Sequence, residues 1–222
     1  MLEHLYILPI LLFSVVIHEL AHGYVALRLG DPTAKQMGRL TLNPVPHIDM
    51  VGSILVPLMS LLVAGRVFIA WAKPVPVNPL NFSHQKRDDV LVTIVGPLSN
   101  IILALFCAIA VIGLGHAASV VDALDSPFAN QALEFLLKMF YGGIYLNVVL
   151  AVFNLIPVPP LDGSHVLASL LPAEAAEKYR RVGFFGIFII IFLMQVPVFR
   201  GVFNDIIGVV FAPYESLIST FL

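Results

Sequence analysis

His18, Glu19 and His22 stand in a His-Glu-Leu-Ala-His run inside the almost wholly apolar residues 5–29. On a helix, positions i and i+4 share a face, so both imidazoles can offer a ring nitrogen to one ion, with Glu19 beside it. Two nitrogen ligands and an adjacent carboxylate form the pattern of zinc metalloproteases, in which the carboxylate takes a proton from zinc-activated water. Two histidines that merely hydrogen-bond between helices would give the same spacing. The setting favours chemistry, because ionisable side chains crowded into a membrane-length apolar run are costly unless a metal or polar partners hold them.

Catalytic zinc takes three protein ligands and keeps one position open, so the chain must supply a third. The candidate is Asp162, in Asn154-Leu-Ile-Pro-Val-Pro-Pro-Leu-Asp-Gly163, where a long apolar block runs into a turn. Pro157, Pro159 and Pro160 break a helix, and Gly163 permits a tight turn that would aim Asp162 inward. Asp-Gly is also an ordinary turn pair.

The elements that position these groups belong to a membrane. Of 222 residues, 59% are hydrophobic and 12% charged, and the mean hydropathy is +0.95. A net charge of −2 gives no basic surface for nucleic acid. The single cysteine, Cys107, lies in an apolar run and reads as a packing residue. The first apolar run lacks a basic leader and a small-residue cleavage site, so it is expected to stay in the mature protein. Apolar blocks at about 5–29, 48–71, 89–115, 130–156, 181–199 and 202–222 predict an all-α polytopic membrane protein with five to six transmembrane helices. The Pro-rich residues 71–82 suit an extended strand or loop, and a re-entrant segment or short β-hairpin is expected between the first helix and the Gly-Pro-Leu-Ser-Asn helix. No linker is long enough for a second globular domain. The chain therefore reads as one membrane-embedded domain, with a zinc core at about 5–165 and additional C-terminal helices at about 181–222. Any regulatory module would be a separate subunit.

Geometry constrains the topology. For His22 and Asp162 to reach one ion, the helices that end near them must run parallel, which needs an odd number of crossings between them. Residues 48–71, interrupted by Gly52, Pro57, Gly65 and Arg66, are the block expected not to cross fully. On that reading Arg28, Lys35, Arg39, Arg66, Lys73, Lys86, Arg87, Lys178, Arg180 and Arg181 share one side, while Lys138 and Arg200 lie opposite. The positive-inside tendency then predicts an outside N-terminus, a cytoplasmic C-terminus and a site nearer the cytoplasm.

Four segments in order, His18 to His22, Asn43-Pro44 through Asp49 to Gly52-Ser53, Gly96-Pro97-Leu98-Ser99-Asn100, and Asn154 to Gly163, make the chain resemble the site-2 protease family of intramembrane zinc metalloproteases. The match is to the minimal form, without PDZ or CBS domains. The resemblance implies that His18, His22 and Asp162 hold one Zn2+ per chain. It further implies that Glu19 is the general base, that Asn154 positions substrate or stabilises the oxyanion, and that Gly96 and Pro97 shape the packing nearby. It also implies an enzyme of a prokaryotic cytoplasmic membrane that cuts transmembrane peptide or protein substrates within the lipid bilayer. A helical substrate would have to unwind first, and adding as a strand along residues 72–82 is one way to hold it.

His47 could support the site or simply cap a loop, and His165 could hydrogen-bond near the site or face the cytoplasm. Two other classes use the same residues. A membrane metal-ion transporter would explain the ligands but not Glu19, and no internal repeat of the kind transporters show is visible. A non-proteolytic relative that only binds membrane helices would not need Glu19 intact.

Overall fold

The computed structural model describes residues 6–56, 59, 71–123 and 125–222. Eight α-helices follow one another there: α1 Ile7–Arg28, α2 Thr33–Gln36, α3 Gln85–Asp122, α4 Pro127–Asn154, α5 Gly163–Leu170, α6 Ala173–Arg180, α7 Gly186–Gln195 and α8 Pro197–Phe221. A π-turn at Met50–Leu55 and short 3-10 turns at Val45–His47, Pro79–Asn81 and Gly183–Phe185 join them, and no strand occurs among the described residues. The fold is all-α, as the composition predicts. Residues 71–78 run as extended chain without a ladder. The expected hairpin is therefore not found in the described part, and most of the block at 48–71 lies outside it.

Four helices, α1, α3, α4 and α8, are long and apolar enough to cross a membrane. At about 1.5 Å per residue even α1, with 22 residues, reaches ~33 Å, against ~30 Å of hydrocarbon. The expected count of five to six is not reached among the described residues, because the block at 181–199 breaks up. Gly183 takes a positive φ of 47°, and Val196 is extended (φ −77°, ψ 117°), as a residue before proline tends to be. What remains is α7, 10 residues and ~15 Å long.

Side-chain pairings give the helix directions. His22 meets Val92 and His18 meets Asn100, so α1 and α3 are antiparallel. Gly142 lies by Tyr6 and Ile7, and Gly143 by Ile10, while Asp162, just beyond α4, lies by His18 and His22. Helices α1 and α4 are therefore parallel, as one shared ion requires. Phe203 meets Phe153 edge-to-face, as Phe211 meets Tyr141 and Tyr145, so α8 runs antiparallel to α4. Both ends of the described chain thus lie away from Asp162. This corrects the expectation that the C-terminus shares the site's side: α7 is too short to cross, so α8 starts at the site end and carries Arg200 there.

The core joins Ile10 of α1, Ala104, Cys107, Ala108 and Val111 of α3, Ile144 and Val148 of α4, and Ile207 and Tyr214 of α8. Small residues let these backbones approach: a Cβ on Gly143 would sit 2.9 Å from Ile10 and 3.1 Å from Cys107. Tyr214 donates its hydroxyl to the Ile101 carbonyl at 3.0 Å, which pairs its polar end inside an apolar layer. Phe106, Phe192 and Val209 point outward and exposed, as a lipid-facing surface requires.

Candidate metal centre

His18 and His22 are buried on one face of α1, and their Nε2 atoms lie 3.1 Å apart. Asp162 arrives from the other end of the sequence, with Oδ2 3.1 Å from His18 Nε2 and 3.4 Å from His22 Nε2. Together the three form a group able to hold a metal ion, and among the described residues no other such group occurs. Ligands ~2.0–2.1 Å from a tetrahedral zinc stand about 3.3 Å from one another, close to the separations here.

The local sequence explains the convergence. Helix α4 ends at Asn154, and residues 155–161 fold back through successive turns, Val158 N donating to Ile156 O and Leu161 N to Val158 O. Tyr179 fastens this loop by donating to the Pro157 carbonyl at 2.8 Å. Gly163 matters for a reason the Asp-Gly pair does not suggest. It opens α5 in ordinary helical conformation, but a Cβ there would run into the Leu155 and Ile156 carbonyl oxygens. Gly96 of α3 likewise faces the imidazoles, where a Cβ would collide with His22 and stand 2.8 Å from His18.

The donor set itself fits a cation. His22 Nδ1 lies 2.6 Å from the Val92 carbonyl, which can only accept, so Nδ1 carries the hydrogen and the neutral ring keeps its lone pair on Nε2. His18 Nδ1 faces Asn100 Oδ1 at 2.6 Å in the same way. Asp162 Oδ2 is buried without a hydrogen-bond partner. With both imidazoles neutral, three electron-rich atoms at contact distance repel unless a cation lies among them, and two imidazoles with one carboxylate suit Zn2+.

Glu19 is half-buried, and its Oε2 accepts from Val75 N at 2.6 Å. That bond belongs to a strap. Residues 71–78 are held along α1 by Lys73 N donating to His47 O, by Arg39 donating to the Lys73 and Pro74 carbonyls, and by Asn78 N donating to Asp31 Oδ2. Asp31, fully buried, also accepts from Thr33 and from Asn81 Nδ2. Burial pushes its carboxyl up, but these donors outweigh burial and hold it below the usual carboxylate range. Pro74 and Pro76 have no N–H to give, so the strap would be a poor edge for strand addition.

Asn154 sits at the end of α4 with Nδ2 donating to Leu150 O at 3.0 Å, so its amide is engaged within its own helix. Neither His47 nor His165 belongs to the ligand group. His47 Nε2 donates to Thr41 O at 3.0 Å, and His165 Nδ1 lies 3.2 Å from Asp89 Oδ2, which also faces Arg180. Sequence reading missed Asn147, Asp31 and Arg39, and quoted Asn100 without a role. An amide inside an apolar run was the available signal for both asparagines.

Comparison with known proteins agrees with this geometry. Residues 6–194 match peptidase family M50. Relatives that carry the name "putative zinc metalloprotease" include YwhC of Bacillus subtilis, 40% identical over 192 residues (86% of this chain, 81% of the relative), and Rip2 of Mycolicibacterium smegmatis, 26% identical over 200 residues (88% and 69%). Zinc metalloprotease MJ0392 of Methanocaldococcus jannaschii is 27% identical over 174 residues, 78% of this chain and 35% of that protein. No solved structure matches the chain.

Proposed function

The chain belongs to peptidase family M50, the site-2 protease family of zinc metalloproteases, and from that premise we propose that it cuts transmembrane segments of other proteins at the centre formed by His18, His22 and Asp162. One observation carries the reading. The three ligand atoms converge among helices long and apolar enough to cross a bilayer, at one end of the bundle.

When bound, Zn2+ polarises a scissile carbonyl and brings water within reach of deprotonation near neutral pH. Glu19, next to His18 on the same helix, is the base that takes that proton and returns it to the leaving amine. The Val75 amide holds its carboxylate in one orientation. Asn154 would position substrate or the developing oxyanion after exchanging its bond to Leu150 for one to the peptide. The substrate helix must open locally, because its carbonyls are otherwise spent on i to i−4 bonds.

The whole chain acts as one membrane-embedded domain, since Ile207 and Tyr214 of α8 pack into the same core as α1, α3 and α4. The site end faces the cytoplasm on this reading, which the gathering of Lys35, Arg39, Lys73, Lys86, Arg87, Lys178, Arg180, Arg181 and Arg200 there supports. Control of access by a separate regulatory subunit is compatible with this arrangement.

The test uses purified protein, a panel of tagged single-span substrates, and bound zinc measured in parallel. Glu19→Gln is expected to lower cleavage at least ~10²-fold while zinc stays at about one per chain. Undiminished cutting by that variant would refute the role given to Glu19, and a native chain that binds no zinc would refute the centre.

A further inference from the structure

Two buried amides are given no role in the reaction proposed above, though one of them touches a ligand. Asn100 of α3 and Asn147 of α4 are both 0% exposed, in helices apolar enough to cross a membrane, where an unpaired amide is strongly unfavourable. They are joined to the candidate centre. His18 Nδ1 lies 2.6 Å from Asn100 Oδ1, Asn100 Nδ2 donates to Asn147 Oδ1 at 2.9 Å, and Asn147 Nδ2 donates to the Gly143 carbonyl at 2.9 Å.

The direction of this chain follows from its last member. A backbone carbonyl can only accept, so Asn147 must turn its NH2 toward Gly143 and its oxygen toward Asn100. Asn100 must then turn its NH2 toward Asn147 and its oxygen toward His18. An amide oxygen also only accepts, so His18 Nδ1 is the donor. The neutral imidazole, the form that binds a metal, is then left with its lone pair on Nε2, the atom that faces His22 and Asp162.

We propose that Asn100 and Asn147 are positioning residues that lock His18 with its hydrogen on Nδ1 and its lone pair aimed at the metal, the sense of the lock being set by the Gly143 backbone carbonyl. The inference rests on the zinc reading for its consequence, though not for its geometry. His22 receives the same instruction directly from the Val92 backbone. Only the His18 lock passes through side chains, and therefore only it can be altered by substitution.

The experiment uses the full chain in detergent or nanodiscs with two readouts. Zinc affinity by chelator competition should fall ~10–100-fold in Asn100→Leu, which removes the acceptor at similar volume, and recover most of the loss in Asn100→Asp, which still accepts from Nδ1. Asn147→Leu should give a smaller loss, because Asn100 is then free to turn either face toward His18. Nitrogen-15 shifts of labelled histidine in the zinc-free native protein should show His18 protonated on Nδ1. An unprotonated Nδ1 there overturns the lock, whatever zinc does. So does an Asn100→Leu protein that melts like the native one and keeps its zinc affinity within about threefold. If the native chain binds no zinc, the metal reading fails while the nitrogen shifts still decide this proposal; if Asn100→Leu does not fold, the same shifts and Asn147→Leu decide it.

Discussion

At the scale of single residues, the candidate centre depends as much on atoms that are missing as on ligands. Gly96 faces both imidazoles across the α1–α3 contact, and any Cβ there meets the His22 ring. The sequence marks Gly96 only as part of a motif that shapes packing, since a lone glycine in a helix does not say what approaches it. Gly96→Ala is expected to push the His22 ring off the position facing Asp162 and to weaken zinc binding by ~10-fold or more. Chelator competition would measure this, with a thermal melt to show that the fold persists. Gly163 carries the same lesson. Its use is the close approach of the Leu155 and Ile156 carbonyls rather than conformational freedom, a distinction no dipeptide preference can make.

At the scale of elements, the strap at residues 71–78 is the part that propensities describe least well. Prolines exclude a helix, but what holds the segment is distant: Asp31, Arg39, His47 and Glu19 each fix a backbone group of residues 73–78. Asp31 gives this a pH dependence whose sign can be worked out. Its folded pKa lies below the unfolded value, because the donors outweigh burial. Its contribution is therefore full above the unfolded value of about 3.9 and is lost as pH falls through the lower folded value. Hydrogen exchange should accordingly show the Asn78 amide protected at neutral pH and losing protection in acid. Asp31→Asn should remove that acid dependence and destabilise the protein by about 1–3 kcal/mol at pH 7, because one oxygen facing Asn78 N–H becomes a donor. Unchanged protection in the variant would mean the strap is held by Arg39, His47 and Glu19 without Asp31.

At the scale of the whole molecule, the alternation of α1, α3, α4 and α8 fixes which surfaces share a side. The chain leaves α1 and enters α3 at the same end of the bundle, where Asp31 meets Asn78 and Asn81. Reporters inserted near Lys73 to Asp88 and near Ala173 to Arg180 are expected to report one side, the cytoplasm, and a reporter fused after Leu222 the other. A C-terminal reporter on the cytoplasmic side would mean that residues 163–196 cross the membrane, contrary to the 10-residue length of α7.

The candidate ligand types, their i, i+4 spacing, the apolar setting and the need for a third ligand were legible from residue order, because zinc chemistry and membrane insertion both act through local composition and helical periodicity. The sequence also required α1 and α4 to be parallel, since one ion must be reached from both. Which blocks would hold as membrane-length helices was decided only in three dimensions, where Gly183 and Pro197 cut the block at 181–199 to a short helix and turned α8 around. The same holds for the buried amides behind His18, the strap on Glu19 and the clearance at Gly96. Each is a contact between residues far apart in the chain, and the energy of such a contact depends on neighbours that only packing brings together.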